Sequence, residues 1–578
     1  MENKKQLVEQ HNLINESIFR FKSTVLKGKR MLKNMLSPLQ RFKDEGLLNK
    51  KAVVAFSESD LWNPSDNADN WILTAGKIEN LRIAARRLNG LEIKANEVFS
   101  FWKHIGNPNF GKGYVIGREI REGCIVPTVA GGLCQLSNAL YDAALKADFD
   151  IIERHKHTRV IQGSLAEQDR DATVKWNYVD LRFRSRKSFR IEIELTADKL
   201  IVVFKSDPSN AAEQDQPISL RQSNTLNDCY SCGNFACFKH PDRTASEQGK
   251  ALTTFILDEK WPEYDEYIQR ISTPYDYFIV PLKANRLFNT DRYNWSGMNK
   301  NRVKAATFAG IYRALKLRFG LKKATNVFEL SLHLDRKIAQ QAARLIPVES
   351  NHIVVAQNLL PFLLETGALG GRTFDVLMTR LPMEKLHQRL DAAYSQYTES
   401  PTLKDFRAPH ALVELENKAL TKVRTIITPH AEIAALFFNK TEKLNWSMPV
   451  EKSMALQGTK ILFPAAALGR KGAYEMRRLA EELEFSLVVT GHSLEQTNFW
   501  KGIAIEKFNG NFSDIKVIVY PTYVEHQPRR LLKAVARGIP VITTHACGLE
   551  ASDTIRLVET GNYEALKSVL IKQLAVQI

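Results

Sequence analysis

The spacing of apolar residues changes several times along the chain, and each change marks a different kind of element. In residues 1–50, Phe19, Phe21, Val25, Leu26, Met31, Met35, Leu36 and Leu39 interleave with Lys22, Lys27, Lys29, Arg30, Lys33, Arg41 and Lys43. This predicts a basic amphipathic helix, suited either to an anionic membrane surface or to docking on another domain. From Lys77, KIENLRIAARRLNG repeats its apolar residues at helical period and stops at Gly90, a residue that suits the position after a helix end. Strand-like runs follow in EVFSFWKHIG and GYVIGREI, and then VAGGLCQLSNALYDAALKA, where a glycine-rich turn opens a helix. After Asp148 the chain passes through DIIERHKHTRVI to VKWNYVDLRFRS and FRIEIELTADKLIVVFKS, whose period-two alternation predicts antiparallel strands. Residues 51–206 therefore read as one α+β domain.

Residues 207–250 are polar and read as a linker. Beyond them the runs TTFIL, DYFIVPL, HIVVAQ, TFDVLM, RTIITPH, TKILFP, FSLVVTG, KVIVYPT and IPVITT alternate with helical stretches. Such alternation predicts parallel sheets in α/β units. Nine strands over this length suit two Rossmann-type halves, 251–440 and 441–578. The expected architecture is multidomain: a basic helical segment, an α+β domain, a linker and a pair of Rossmann-type domains.

Composition narrows the function classes. The 578 residues are 44% hydrophobic and 25% charged, enough for several cores. No run of about 18 uncharged apolar residues occurs, and the N-terminus lacks a signal-peptide pattern. The expected location is the cytoplasm, with a peripheral position at the inner membrane face open through the first helix. A net charge of +17 favours anionic partners, namely nucleotide-sugars or phospholipid headgroups. Nucleic acid is not expected, because no RNP-type sequence, helix-turn-helix or basic run interleaved with aromatics is present.

Three sets of residues carry candidate chemistry. Cys229, Cys232, Cys237 and His240 place three thiols and an imidazole within twelve residues. That spacing suits a structural Zn²⁺, with an iron–sulfur cluster or unmetallated thiols as the alternatives. Cys134 follows Gly131 and Gly132 at a helix start, where the dipole favours a thiolate. His155 and His157 follow at an i, i+2 spacing that puts both on one face of a strand, and Asp171 and Asp180 lie further on. These residues permit thiol–imidazole–carboxylate catalysis, with either histidine as base. The bland alternative is a small buried cysteine beside glycines that only relieve a tight turn.

NLRIAARRLNG, EVFSFWKHIG, GGLCQLSNALYDAAL, ERHKHT and DRDATVKWNYVDLRFRS resemble, in order, the motifs of the VanW family, named for an accessory protein of vancomycin-resistance clusters. The resemblance runs from about Phe56 to about Lys205 and places family motif residues at Gly131, Gly132, Cys134, Gln135, Glu153, Arg154, His155 and His157. It implies a link to cell-envelope biology and no settled activity.

From about Leu252 the chain resembles retaining GT-B glycosyltransferases, most clearly between Thr459 and Leu549. That resemblance implies a nucleotide-sugar donor and a glycan or envelope acceptor. Arg470, Lys471 and Gly472 would hold the diphosphate and Glu525 would face the sugar. The family's Gly-Arg pair reads Ala465-Ala466 here, and its second carboxylate is replaced by Lys533, a candidate donor-binding residue that could pair with a phosphate or a different donor. These departures leave open a non-catalytic binding scaffold on the same fold.

Overall fold

The computed structural model describes residues 13–36, 39–63, 68–121, 124–157, 164–208, 227–228, 252–284, 290–320, 327–405, 407–451, 458–491, 494–496 and 498–575. The chain separates into two compact units. Unit 1 comprises residues 1–252 with the short segments 347–352 and 367–372; unit 2 comprises the remainder of 253–578. The Cys229, Cys232, Cys237 and His240 set expected to bind metal lies outside the described residues.

Unit 1 begins with helix α1 (Leu13–Leu36). Strands β1 (Ala52–Asp60), β2 (Glu92–Ile93), β8 (Phe189–Leu195) and β9 (Lys199–Ser206) form an antiparallel sheet in the order β1-β9-β8-β2. Along β9 burial alternates strictly, and Leu200, Val202 and Phe204 point inward, as a half-buried strand requires. Phe204 meets Phe149, Phe183 and Phe189 at centroid separations of 5.4, 5.7 and 5.5 Å, an aromatic cluster at the centre of this core. Two helices cover the sheet's core side: α2 (Ala68–Leu88) and α4 (Leu133–Lys146). Helix α2 starts nine residues before the expected Lys77, and its run from Trp71 to Ile78 is almost wholly buried.

Strands β3 (Val98–Ser100), β6 (Asp150–Glu153) and β7 (Arg182–Arg184) make a second antiparallel sheet, and the short helix α3 (Phe101–Ile105) follows β3 directly. A hairpin of β4 (Ile116–Arg121) and β5 (Cys124–Val129), joined by β10 (Asn227–Asp228), leads into α4.

Unit 2 holds two sheets. The first contains β11 (Thr253–Ile256), β12 (Tyr277–Val280), β13 (Val303–Ala305), β14 (His352–Ala356), β15 (Thr373–Leu377), β16 (Thr425–Thr428) and β17 (Thr441–Lys443). The second contains β18 (Lys460–Phe463), β19 (Leu487–Val489), β20 (Ile505–Lys507), β21 (Ile515–Tyr520), β22 (Val541–Thr544) and β23 (Ile555–Val558). Their helices are α5 (Pro262–Ile271), α6 (Thr307–Gly320), α7 (Val327–Ala343), α8 (Leu360–Glu365), α9 (Met383–Gln396), α10 (His410–Lys422), α11 (Ala431–Leu436), α12 (Ala473–Leu483), α13 (Arg529–Ala536) and α14 (Tyr563–Ala575).

The strand orders are β13-β12-β11-β14-β15-β16-β17 and β20-β19-β18-β21-β22-β23. In both, the chain runs outward, returns to the middle and runs outward again, the Rossmann-type order. All five pairings of the second sheet are parallel. Such sheets open a crevice between the first and fourth strands. In the second sheet that crevice lies between β18 and β21.

Candidate functional site

In unit 1 the turn between β5 and α4 is built for close approach. Ala130 takes φ +60° and Gly132 φ +95°, both in the left-handed region that favours glycine. A Cβ on Gly132 would stand 2.1 Å from Lys77 Cγ, and one on Gly131 would stand 2.6 Å from the Gly117 backbone. Side-chain mass is excluded at both positions by α2 and β4. Buried Asn80 clamps the turn: its amide donates to Gly131 O at 3.0 Å and Val115 O at 3.1 Å, while its carbonyl accepts from Val115 N at 2.9 Å. The turn thus delivers Cys134 to the first turn of α4.

The same helix fixes the acid-bearing segment. Ser137 Oγ donates to Ala172 O at 2.5 Å, and Asn138 Oδ1 accepts from Ala172 N at 2.7 Å. Arg154 Nε adds a bond to Asp171 O at 2.7 Å. Asp171 is fully buried. Its carboxylate accepts from His157 N at 2.7 Å and pairs with His157 Nδ1 at 2.5 Å. With Nδ1 so occupied, the His157 ring hydrogen-bonds the Cys134 side chain. Cys134 Sγ also lies 3.7 Å from Thr173 Oγ1 and 3.8 Å from Val174 O.

The electrostatics follow from this order. Burial alone would raise the Cys134 thiol, but the hydrogen bond and charge of His157 overcome it, and the thiol lies below its ordinary value. Burial alone would lower the His157 imidazole; bonds to Asp171 and Cys134 overcome that and raise it to about 10. The pair therefore favours thiolate and imidazolium.

His155 takes no part. Strand β6 ends at Glu153, so the alternation that would have put both histidines on one face is not in force. The His155 side chain is 51% exposed and sits 3.5 Å from Glu153. Asp180 is also elsewhere: it accepts from Ser100 Oγ at 2.7 Å, Trp102 N at 3.1 Å and Arg182 Nε at 2.8 Å, anchoring the start of α3.

Cys134 and His157 line a cavity of about 490 Å³. Trp62, Trp102 and Trp176 supply apolar wall, while Arg118, Lys77 and Glu119 supply charge. Gln135, next to the thiol, is spoken for: its amide donates to Ser59 Oγ at 2.9 Å and Asp60 O at 2.8 Å. Sequence alone does not single out the tryptophans or the Asn80 and Asn138 clamps: Asn80, Trp102, Asn138 and Trp176 lie within the VanW-like runs, and only the fold shows that they converge.

In unit 2 Arg470, Lys471, Gly472 and Glu525, but not Lys533, lie on the loops that follow β18 and β21. Gly472 caps α12 with φ +84°, and a Cβ there would stand 2.3 Å from Pro521 O. Lys471 Nζ reaches across to Val524 O at 2.7 Å and Glu525 Oε2 at 2.9 Å. Glu525 Oε2 also accepts from Tyr520 OH at 2.7 Å, and Oε1 accepts from His526 N at 3.0 Å and Gln527 N at 2.9 Å. Burial opposes the charge, but Lys471 and His526 lead the groups that hold this carboxyl down at about 2. Arg470 anchors the neighbouring loop through its carbonyl, which accepts from Tyr523 N at 3.0 Å, and burial lowers its guanidinium. Lys533 faces elsewhere, 3.4 Å from Glu451, which also binds Arg537 at 2.8 Å.

Among the described residues no cluster of three or more histidine, cysteine or acidic side chains could hold a metal ion. No described helix is long and apolar enough to cross a membrane.

Comparison with known proteins bears on unit 1. The model of the VanW like protein family matches residues 76–205, a span containing Cys134, His157 and Asp171. The uncharacterized protein YoaR of Bacillus subtilis is 31% identical over 135 residues, 23% of this chain and 44% of its own length. The vancomycin B-type resistance protein VanW of Enterococcus faecalis is 32% identical over 142 residues, 24% of this chain and 51% of its own. The chain thus spans about half the length of the curated relatives it matches.

Solved structures that it resembles include the lipopolysaccharide outer core galactosyltransferase WaaB, with 10% identity, a TM-score of 0.33, and coverage of 57% of this chain and 91% of that one. The sucrose-phosphate synthase of Thermosynechococcus elongatus gives 12% identity, a TM-score of 0.37, and coverage of 56% and 90%. Residues 76–205 are a VanW-like domain.

Proposed function

We propose that unit 1 is a thiol enzyme that transfers or hydrolyses an acyl group, with Cys134 as nucleophile, His157 as base and acid, and Asp171 as the residue that positions His157. The observation that carries this reading is the Asp171–His157–Cys134 chain, rooted in a buried carboxylate and opening onto a cavity wide enough for a substrate. A buried structural cysteine gains nothing from an imidazole held by a carboxylate, whereas a nucleophile needs both.

In the first half-reaction the Cys134 thiolate attacks the carbonyl carbon of an amide or ester. A thioester forms, the bond to the leaving amine or alcohol breaks, and His157 gives that group its proton. In the second, water or an amine attacks the thioester; His157 takes its proton and Cys134 leaves as thiolate. The resistance protein among the relatives directs the search for substrates to envelope peptides.

The test is alkylation of Cys134 by iodoacetamide against pH, followed by peptide mapping. The expected midpoint lies below the ordinary thiol value of about 8.5, and His157→Ala returns it toward that value. Slow labelling with an ordinary midpoint in the unaltered chain would sink the reading.

A second reading belongs to unit 2 and rests on one observation: Lys471, Gly472 and Glu525 converge at the crevice between the first and fourth strands of a parallel sheet. We infer that this crevice takes a nucleotide-sugar, with Lys471 on the diphosphate and Glu525 toward the sugar of a glycosyl transfer to an envelope acceptor. Retention of anomeric configuration is part of the same proposal. Calorimetry with a panel of nucleotide-sugars, paired with turnover by Glu525→Ala, tests it. Turnover that disappears in the variant supports it; binding without turnover leaves a scaffold; no binding removes it.

A further inference from the structure

Helix α1 is attached to unit 1 by the wrong face for an ordinary docking helix. Its contacts are polar: Arg30 pairs with Glu153, Asn34 Oδ1 accepts from Arg182 Nη2 at 2.9 Å, and the Lys27 carbonyl accepts from Asn177 Nδ2 at 3.4 Å. Residues 27, 30 and 34 share one side of a helix at 3.6 residues per turn. Most of the exposed apolar residues lie on the other side, while Leu26, 38% exposed, sits between the attached face and the lysines. Phe21, Met31, Leu32, Met35 and Leu36 are between 60% and 81% exposed, and Ile18 and Val25 are exposed with them.

On a helical wheel these seven residues fill an arc of about 140°, with Met31 at one limit and Ile18 and Leu36 at the other. Lys29, Lys22 and Lys33 follow in turn along the second limit, and all three are exposed. A helix that docks to bury its apolar stripe turns that stripe inward; here it is turned out and edged by lysines. The arrangement is that of an interfacial helix, whose apolar face enters the acyl boundary while the flanking cations meet headgroup phosphates. Charge selects the occupant, because a neutral surface gives the lysine edge no partner and an anionic one does.

We propose that α1 holds this protein on the surface of an anionic phospholipid bilayer, entering it along Phe21, Val25, Leu32 and Leu36 and pairing Lys22, Lys29 and Lys33 with lipid headgroups. The proposal stands independently of the thiol chemistry, though it has a consequence for it. Trp102 and Trp176 line both the Cys134 cavity and a smaller recess of about 190 Å³ bordered by Arg30 and Asn34 of α1. A bilayer bound by α1 therefore lies near the thiol cavity.

Co-flotation of the full chain with vesicles tests the inference. Phosphatidylcholine vesicles with about one-third phosphatidylglycerol are compared with pure phosphatidylcholine, at low and at physiological salt. The expected result is strong preference for the anionic vesicles, weakened by salt. Reversing Lys22, Lys29 and Lys33 to Glu should weaken binding by roughly 100-fold or more. Phe21→Ser with Leu32→Ser should remove binding from both vesicle types. All five side chains are exposed, and an unchanged thermal transition certifies each variant as folded. Equal binding to neutral vesicles, no binding at all, or a concentration-dependent dimer in sedimentation that disappears with Phe21→Ser and Leu32→Ser would overturn the proposal; the last would give the stripe to a second copy of the chain.

Discussion

Cys134 and Glu525 each stand where a loop enters a helix, and each pairs with a cation, yet the free side of the two groups differs. Asp171 and the α4 clamps hold His157 and Cys134 from one side, and the other side faces the cavity. Glu525 spends both oxygens on four donors of its own unit, one of them the lysine expected to bind phosphate. The first arrangement is open, and its entry turn is strained, with Ala130 at positive φ four residues before the nucleophile. The second is saturated, so any ligand there must first displace the Lys471–Glu525 pair. Preorganised reactivity needs support on one side and vacancy on the other, and only unit 1 shows both.

The sharpest way to break the comparison is Cys134→Ala. Native-state alkylation mapped by mass spectrometry should lose the Cys134 peptide completely, while Cys547 stays unlabelled before and after. Cys547 is fully buried, and burial pushes its thiol up, so it serves as the internal standard of an inert cysteine. Rapid labelling of Cys547 would show that exposure and pairing do not separate the two thiols as argued.

Asp171→Asn should have the next largest effect. The amide keeps the shape but loses the charge that stabilises imidazolium, and it offers His157 the wrong donor–acceptor pattern. Alkylation at pH 6.5 should slow by roughly 100-fold, the low end of what positioned acid–base groups supply. A change under threefold would reduce Asp171 to a structural anchor.

Folding stability distinguishes the two sites by opposite windows of pH. The folded His157 is raised from about 6.5 to about 10. Its contribution is therefore full below pH 6.5 and fades as pH rises through 10. The folded Glu525 is lowered from 4.5 to about 2, so its contribution is full above 4.5 and fades as pH falls through 2. The Tm penalty of His157→Gln should shrink on the alkaline side, and that of Glu525→Gln on the acid side. At neutral pH the second should cost about 3 kcal/mol, since it strands a largely buried lysine. A penalty that ignores pH in either variant contradicts the assigned ionisation.

Much of this organisation is legible in the chain before folding, and the misses have physical causes. All nine α/β runs become strands β11, β12, β14, β15, β16, β18, β19, β21 and β22. Those that escape are β13, β17, β20 and β23, which are the edges of the two sheets. Interior strands of such sheets are covered on both faces and must be apolar throughout; edges such as Thr441–Lys443 and Ile505–Lys507 carry charge and leave no such trace. The helix start at Cys134 is readable because glycine turns and helical periodicity are local. The pairing of Asp171 with His157 is not, because it depends on where a strand stops and on side chains of α4 that clamp a segment more than thirty residues away.

The smallest expected effect is the most discriminating one for that reading of the histidines. Were β6 to continue past Glu153, His155 and His157 would lie on the same face and either could serve Cys134. With the strand ending at Glu153, the His155 side chain turns to solvent and Glu153, and it is the backbone carbonyl that meets the segment carrying Asp171, accepting from Thr173 N at 2.8 Å. A backbone bond survives any side-chain change. His155→Ala should therefore alter the alkylation rate of Cys134 by less than twofold and leave its pH midpoint in place, while His157→Ala shifts both. An equal loss from the two substitutions would mean that the segment is extended in solution and that the imidazole serving the thiol is shared.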